Sequence, residues 1–325
     1  MIFRLLLAGL ATVASAAALR SRVISSNAAA YARSTSKRAL LISNSKLAGL
    51  DYLVHVKEHI RSFLGDCEGG FVLFVPYAQR DRDGYAAKVR SSLGEYDVRS
   101  LADYDSREAR LDAVREASCV FVGGGNTFRL LKCLQQDEGL LTTIKSRVSS
   151  GELKYIGSSA GSNLACPTIR NTNDMPIVWP ERGLDGLGLV PFQINTHYID
   201  EERELKNHMG ETRAKRLEEF HEENDVPVLA LREGSTVLVE GEHATLLGPT
   251  TRSAQVTWEG ARLLRPPKDG GPREVGVGES LDFLMRLGDE GAPPPATLFD
   301  VSPLLSDEGQ QVRRAGAKGD GFKSG

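Results

Sequence analysis

The stretch LKYIGSSAGSNLA, residues 153–165, decides how the fold is read. Leu153–Ile156 is an apolar run of strand length, and Gly157-Ser158-Ser159-Ala160-Gly161 directly after it fits G-x-S-x-G. Ala160–Ala165 can then open a helix. Strand, sharp turn and helix in that order form the context in which a serine hydroxyl is lifted clear of the backbone. The flanking glycines permit the turn. The register picks Ser159 over Ser158 and Ser162, and the helix aims its first N–H groups at any negative charge developing beside the hydroxyl. Glycine and serine also crowd ordinary loops, so the motif gains meaning only from what surrounds it.

On the N-terminal side, Ala39–Ser43, Phe71–Val75, Tyr96–Val98 and Cys119–Val122 read as short apolar strands. Between them, Leu50–Leu64, Tyr85–Leu93, Arg107–Ala117, Thr127–Leu134 and Leu140–Ser149 carry helical spacing, with Asn126 placed to cap the fourth. This alternation predicts an α/β fold, a mainly parallel sheet covered by helices on both faces. On the C-terminal side come a strand at Phe192–Asn195, a helix at Glu211–Glu223 and a strand at Val228–Leu231. Thr236–Val239, Ala244–Leu247 and Ala254–Thr257 read as short strands of an antiparallel extension. Past Arg265, Pro266-Pro267, Gly270-Gly271-Pro272 and Pro293-Pro294-Pro295 break the pattern, leaving room for one short helix near Leu281–Leu287. The reading therefore places one folded domain at 39–265 and a flexible extension at 266–325.

The chain has 325 residues, 41% hydrophobic and 26% charged, with a net charge of −3. Its first 50 residues hold seven Lys/Arg and no Asp or Glu, so the body is distinctly acidic, which argues against nucleic acid as a partner. Residues 2–18 are mostly apolar and include the small-residue run Ala14–Ala17, and the stretch up to Arg38 is rich in Arg, Ser and Ala. Residues 1–38 thus read as a cleaved signal or transit segment that delivers the protein to a plastid, a mitochondrion or the secretory pathway, with no membrane anchor after processing. Cys67, Cys119, Cys133 and Cys166 lack C-x-x-C spacing, which excludes a disulfide framework or a Cys-rich zinc site and predicts buried thiols.

A second glycine cluster, Gly123-Gly124-Gly125-Asn126, also follows a strand. Its N–H groups can form an anion nest or supply a second oxyanion donor, and it lacks the phosphate-binding spacings. Of the histidines, His55 and His59 sit on a helix with a surface role expected, and His221 lies in the charged run Glu218–Glu223, read as a solvated face. His197 follows an apolar strand, where sites gather in a parallel sheet, and is the candidate base. Asp174, Asp185 and Glu233 all occupy loops after apolar segments, and spacing does not choose among them.

Long runs of residues add a resemblance to this reading. Tyr155–Arg170, Thr172–Val178, Leu41–Ser45, Val122–Phe128, Gln193–Asn195 with His197, Gly210–Arg213, Arg232–Gly234 and His243–Leu246 occur in an order that closely resembles the aspartyl dipeptidases of the serine peptidase family that also contains cyanophycinase. The resemblance spans about residues 39–260. It implies a three-layer α/β sandwich similar to class I glutamine amidotransferases, and hydrolysis of short peptides with N-terminal aspartate through an acyl-enzyme. It places the nucleophile at Ser159 and the base at His197. Two acids of the family have been linked to the third role, and they match Asp174 and Glu233. The oxyanion donors would be the N–H groups of Gly125 and Ala160, with Asn126, Arg213 and Arg170 as substrate-binding candidates. No metal or cofactor is implied. Ser158 and Trp179 depart from the bacterial pattern, where Trp and Asp stand. Two alternatives accompany the reading: a cyanophycinase-like exopeptidase acting on β-Asp-Arg, and a non-catalytic protein binding an anion at Gly123–Asn126.

Overall fold

The structure, a computed structural model, describes residues 37–65, 70–201, 210–254 and 259–288. The leader assigned to residues 1–38, apart from its last two residues, lies outside them, as do Cys67 and His208.

Five parallel strands form the centre of the main sheet: β1 (Arg38–Ile42), β2 (Val72–Val75), β3 (Val98–Ser100), β4 (Cys119–Val122) and β5 (Lys154–Ser158). Antiparallel β8 (Thr236–Glu240) and β9 (His243–Leu247) extend it, giving the order β3-β2-β4-β5-β1-β8-β9. Alternation along each strand explains the layering. Leu40, Ile42, Val72, Phe74, Phe121 and Ile156 point to one face. There they pack on α1 (Lys57–Leu64) and α2 (Arg82–Ser92). Ala39, Leu41, Leu73, Val75, Val120 and Val122 point to the other. That face is covered by α3 (Arg107–Glu116), α4 (Thr127–Gln136) and α5 (Leu140–Ser149). Both faces are buried at the centre, so β2 and β4 are apolar throughout, whereas the edge strand β3 carries the exposed Arg99. Helix starts follow side-chain capping: the side chains of Asp81, Ser106 and Asn126 each accept a backbone N–H from the first turn of α2, α3 and α4.

A second sheet stands apart from the first, a division the sequence reading did not make. It comprises β6 (Gln193–Tyr198), β7 (Val228–Arg232), β10 (Ala261–Leu264) and β11 (Arg273–Val275), in the order β11-β10-β7-β6. Ile194, Leu229, Leu231, Ala261 and Leu263 join the main core. Tyr198, Val228, Ala230 and Leu264 face α7 (Arg213–Glu223), the short α6 (Ala160–Leu164) having followed β5.

Three expectations need correction. The helix expected over Leu50–Leu64 is a turn and a single 3-10 turn (Val54–Val56) before α1 begins, and His55 within it is fully buried rather than at the surface. His221 is likewise buried, because α7 turns that residue toward the second sheet and its ring packs on Phe220. The folded unit also runs past residue 265. β11 pairs with β10, and α8 (Asp282–Met285) docks on β9 with Leu281 and Leu284 buried. Proline and glycine punctuate this stretch without ending the core. The strand expected at Ala254–Thr257 lies outside the described residues save for Ala254, which is in a turn. The body of described structure ends at Leu287.

A chain ended at Arg265 would lose β11 and uncover the face that Leu281 and Leu284 fill. Burial of two leucines is worth about 3–6 kcal/mol, so the shortened chain is expected to melt well below the full chain in calorimetry. Equal melting temperatures would place residues 266–287 outside the cooperative unit.

Candidate active site

The C-terminal ends of three neighbouring strands meet at the elbow. In register, Gly157 of β5 stands opposite Val122 of β4 and Leu41 of β1. Ser159 follows in a left-handed conformation, φ 51° and ψ −108°, that few non-glycine residues adopt. Both motif glycines are sterically required. A Cβ on Gly157 would meet Gly161 O at 2.6 Å, and one on Gly161 would meet Val122 O at 2.2 Å. The Ser159 N–H donates to Ile42 O at 3.0 Å, tying the elbow to β1. Ser158 and Ser162 are fully buried, with the Ser162 hydroxyl donating to Ile42 O and Gly157 O, whereas Ser159 is partly open to the cleft. Only the middle serine presents a reachable hydroxyl.

His197 arrives from the second sheet. β6 and β7 run parallel until Asn195 opposite Ala230, then shift register so that Tyr198 faces Arg232. The extra residue makes a bulge, the device by which strands redirect a side chain. His197 sits in it at φ 55°. Its Nε2 lies 3.0 Å from Ser159 Oγ and its Nδ1 lies 2.9 Å from Glu233 Oε1. Glu233 follows the end of β7 and precedes Gly234, whose φ of 88° makes the turn. The hydrogen bond from His197 holds the Glu233 carboxyl below the usual carboxylate range, against the opposing effect of partial burial, with Arg213 adding in the same direction. An ionised carboxylate only accepts, so Nδ1 carries the proton and Nε2 is left to accept from the Ser159 hydroxyl. Such a relay can remove a proton from the hydroxyl as it attacks a carbonyl.

Of the two acids, Glu233 alone touches the imidazole. Asp174 binds the N-terminus of α4 instead, accepting from Thr127 N at 2.8 Å and from the hydroxyls of Thr127 and Thr172. A carboxylate there satisfies an orphan donor and opposes the positive end of the helix. Asp174 still lines the cleft, a space of about 480 Å³ bounded by Gly125, Ser159, Thr172, Asn173, Asp174, Thr196, His197, Arg213 and Glu233. Asp185 is not among these residues; its backbone pairs with Thr168.

The glycine loop packs against the elbow, with the Cβ position of Gly124 only 3.0 Å from Ser159 Cβ. Gly123 N–H donates to Val75 O, Gly124 N–H to Tyr85 Oη, and Asn126 N–H to Ala78 O. Among the described residues, the Gly125 N–H enters no such bond. Asn126 is occupied structurally: its Oδ1 caps α4 at Arg129 N and its Nδ2 donates to Met175 O. Arg213 begins α7 on the cleft wall. Arg170 does not line the cleft; its guanidinium reaches Asn224 Oδ1 at 3.4 Å. Cys166 is buried, and burial pushes its thiol up to about 12, so it stays protonated and unreactive. Among the described residues no His/Cys/Asp/Glu group is arranged to hold a metal, and no helix is long and apolar enough to cross a membrane.

Two residues that the sequence reading passed over hold this geometry. Ser43 Oγ accepts from His197 N at 3.0 Å, and Asn44 Oδ1 accepts from Gly234 N at 2.7 Å. His55 Nε2 in turn donates to Asn44 O at 3.1 Å. Both lie in the Leu41–Ser45 segment that shares the family resemblance, where neither was given a role.

A strained serine, an imidazole and a carboxylate in one hydrogen-bonded series are the arrangement of a serine-type hydrolase. Residues 39–247 match the sequence profile of peptidase family S51. The chain is 47% identical over 253 residues to a protein of Streptomyces coelicolor named Peptidase E, covering 77% of this chain and 96% of that one. It is 42% identical over 254 residues to a Drosophila melanogaster protein named Probable alpha-aspartyl dipeptidase, covering 78% and 99%. A solved structure of a peptidase from an acI-B1 Actinobacterium shares the fold with a TM-score of 0.55 at 16% identity, covering 76% of this chain and 98% of that one. The chain belongs to peptidase family S51.

Burial holds the His55 imidazole neutral, lowering its pKa to about 4. The unfolded chain takes up a proton near pH 6.5 that the folded chain refuses, so stability present above about pH 6.5 is lost as pH falls toward 4, on the order of 3 kcal/mol in total. His55→Gln is expected to flatten that limb in denaturant titrations at a series of pH values. An unchanged slope would show that His55 does not titrate this way.

Proposed function

We propose that the protein hydrolyses dipeptides and short peptides bearing an N-terminal aspartate, with Ser159 as nucleophile, His197 as general base and Glu233 as the acid that orients it. The observation that carries this reading is the continuous hydrogen-bonded series Glu233–His197–Ser159 in a cleft that Arg213 walls. His197 Nε2 takes the hydroxyl proton as Ser159 Oγ attacks the peptide carbonyl. The oxyanion sits against the N–H groups of Gly125 and Ala160, each such donor being worth about 3–4 kcal/mol of barrier. His197 then protonates the leaving amine, and water releases the aspartyl group by the same route in reverse. Glu233 fixes the tautomer and stabilises the imidazolium.

Selectivity rests on Arg213. The first turn of α7 holds no acidic residue, and a cation there adds to the positive end of the helix dipole rather than opposing it. Cation and helix end together favour a carboxylate side chain in the adjoining cleft. Asp174, on the same cleft, supplies negative charge for the substrate ammonium. The relatives' names, Peptidase E and Probable alpha-aspartyl dipeptidase, support the same substrate class over the β-Asp-Arg and anion-binding alternatives. The reading of residues 1–38 as a leader to an organelle or the secretory pathway belongs to this proposal, supported by their acid-free, Arg- and Ser-rich composition.

Hydrolysis of Asp-Leu, measured beside Glu-Leu, Asn-Leu and β-Asp-Arg, tests the reading: Asp-Leu is expected to be cleaved and the others much less. Ser159→Ala should abolish turnover, and Glu233→Gln should lower kcat by about 10³–10⁴, far more than Asp174→Asn. Equal losses in the two acid variants would undo the assignment of Glu233. Arg213→Met should raise KM for Asp-Leu while the protein stays folded, and unchanged kinetics would remove Arg213 from the specificity site.

A further inference from the structure

We infer that Ser43 is a positioning residue for the base, its hydroxyl replacing the ladder hydrogen bond that the β6 bulge removes and so fixing where His197 points. The inference rests on the Ser159–His197–Glu233 reading.

A non-glycine residue at φ 55° is held there only if its surroundings over-determine it. At the bulge, β6 and β7 lose their direct pairing between Asn195/Ala230 and Tyr198/Arg232. That would leave the N–H of His197 on one strand and the carbonyl of Leu231 on the other without ladder partners, in a place where such groups are costly to bury. The Ser43 hydroxyl fills the gap from outside the sheet. Its oxygen accepts from His197 N at 3.0 Å, and its proton goes to Leu231 O at 3.0 Å. Ser43 is fully buried and its own N–H donates to Ser235 O, so the hydroxyl has one fixed position. A hydroxyl is the smallest side-chain group that can accept from one strand and donate to the next. Alanine can do neither.

The neighbouring residues act on the same point. Ile42 O holds the N–H of Ser159, and Asn44 Oδ1 holds the N–H of Gly234, next to Glu233. Three consecutive residues of one strand end therefore reach Ser159, His197 and the residue after Glu233, and Ser43 reaches the one whose ring must bridge two partners. Ser43 does not line the cleft, so it has no part in holding substrate.

The test compares the full chain with its Ser43→Ala, Ser43→Cys and Ser159→Ala variants on Asp-Leu, with circular dichroism as the check on folding. Both Ser43 variants are expected to lower kcat by about 10- to 100-fold, the cost of a small misplacement of a reacting group, with KM within about twofold. The limb of the pH–rate profile that reports the imidazole should shift as well. Ser43→Cys keeps the side-chain shape, at a slightly larger volume, with a much weaker donor and acceptor, so it decides the matter if Ser43→Ala does not fold. A folded Ser43→Cys or Ser43→Ala with wild-type kcat overturns the inference, as does a loss confined to KM. Turnover retained in Ser159→Ala would instead refute the reading beneath it, whatever the Ser43 variants do.

Discussion

The hydrogen bond from Ser159 N–H to Ile42 O is the contact on which the site depends. A serine at positive φ costs about 1–3 kcal/mol and relaxes unless its surroundings forbid it. Here the relaxed alternatives are blocked on every side. Gly157 and Gly161 sit against backbone too close for any side chain, Tyr155 Oη donates to Gly161 O, and the Ser162 hydroxyl closes on Ile42 O and Gly157 O. The strain is thus carried by the pairing of β1 with β5, which lies in the centre of the sheet and is buried on both faces. The hydroxyl ends up where a helix N-terminus and a glycine loop converge.

Many of the polar groups buried around the site are partnered among the described residues, whereas Ser158 Oγ, Asn163 Oδ1 and both side-chain polar atoms of Asn171 are not. Burying a hydroxyl or amide is unfavourable unless each group finds a partner. Asn195 and Asn173 exchange side-chain hydrogen bonds, Asn163 Nδ2 reaches Thr172 and Thr127, and Asp174 closes the set at the start of α4. This second network braces the loop after Asn171 that forms one wall of the cleft. It explains why an acid so near the relay, and so plausible in sequence, is engaged elsewhere: the N–H of Thr127 needs it.

Much of the main sheet could be read directly. Uniform apolar runs such as Cys119–Val122, separated by capped helices, leave few arrangements other than parallel strands covered on both faces. The elbow was legible because its constraint is local, two glycines around one serine. What escaped the sequence depends on partners distant in the chain. β6 and β7 are parallel neighbours joined through α7, so the register shift at His197 leaves no trace in spacing. His55 looked like a surface residue because its helical repeat was assumed to begin at Leu50, whereas a 3-10 turn rotates it inward to Asn44. That Asp174 engages Thr127 rather than His197 is equally invisible in spacing, because no motif highlights Thr127. The C-terminal limit was placed too early because Pro266-Pro267 and Gly270-Gly271-Pro272 are loop signals, and a three-residue strand after them is too short to show a period.

The separations along the chain of the contacts at Ser43 and Asn44 have a consequence for biosynthesis. His197 N to Ser43 Oγ spans 154 residues, Ser43 to Leu231 spans 188, and Gly234 to Asn44 spans 190. Contacts so remote form late, because the loops they close must be paid for in entropy first. A nascent chain that has emerged only through β5 and α6 already displays the strand and helix that flank Ser159, yet neither imidazole nor carboxylate has been made. On the roles proposed for His197 and Glu233, the relay closes only after the chain has been made as far as Gly234, so the elbow is in place well before the groups that would activate it.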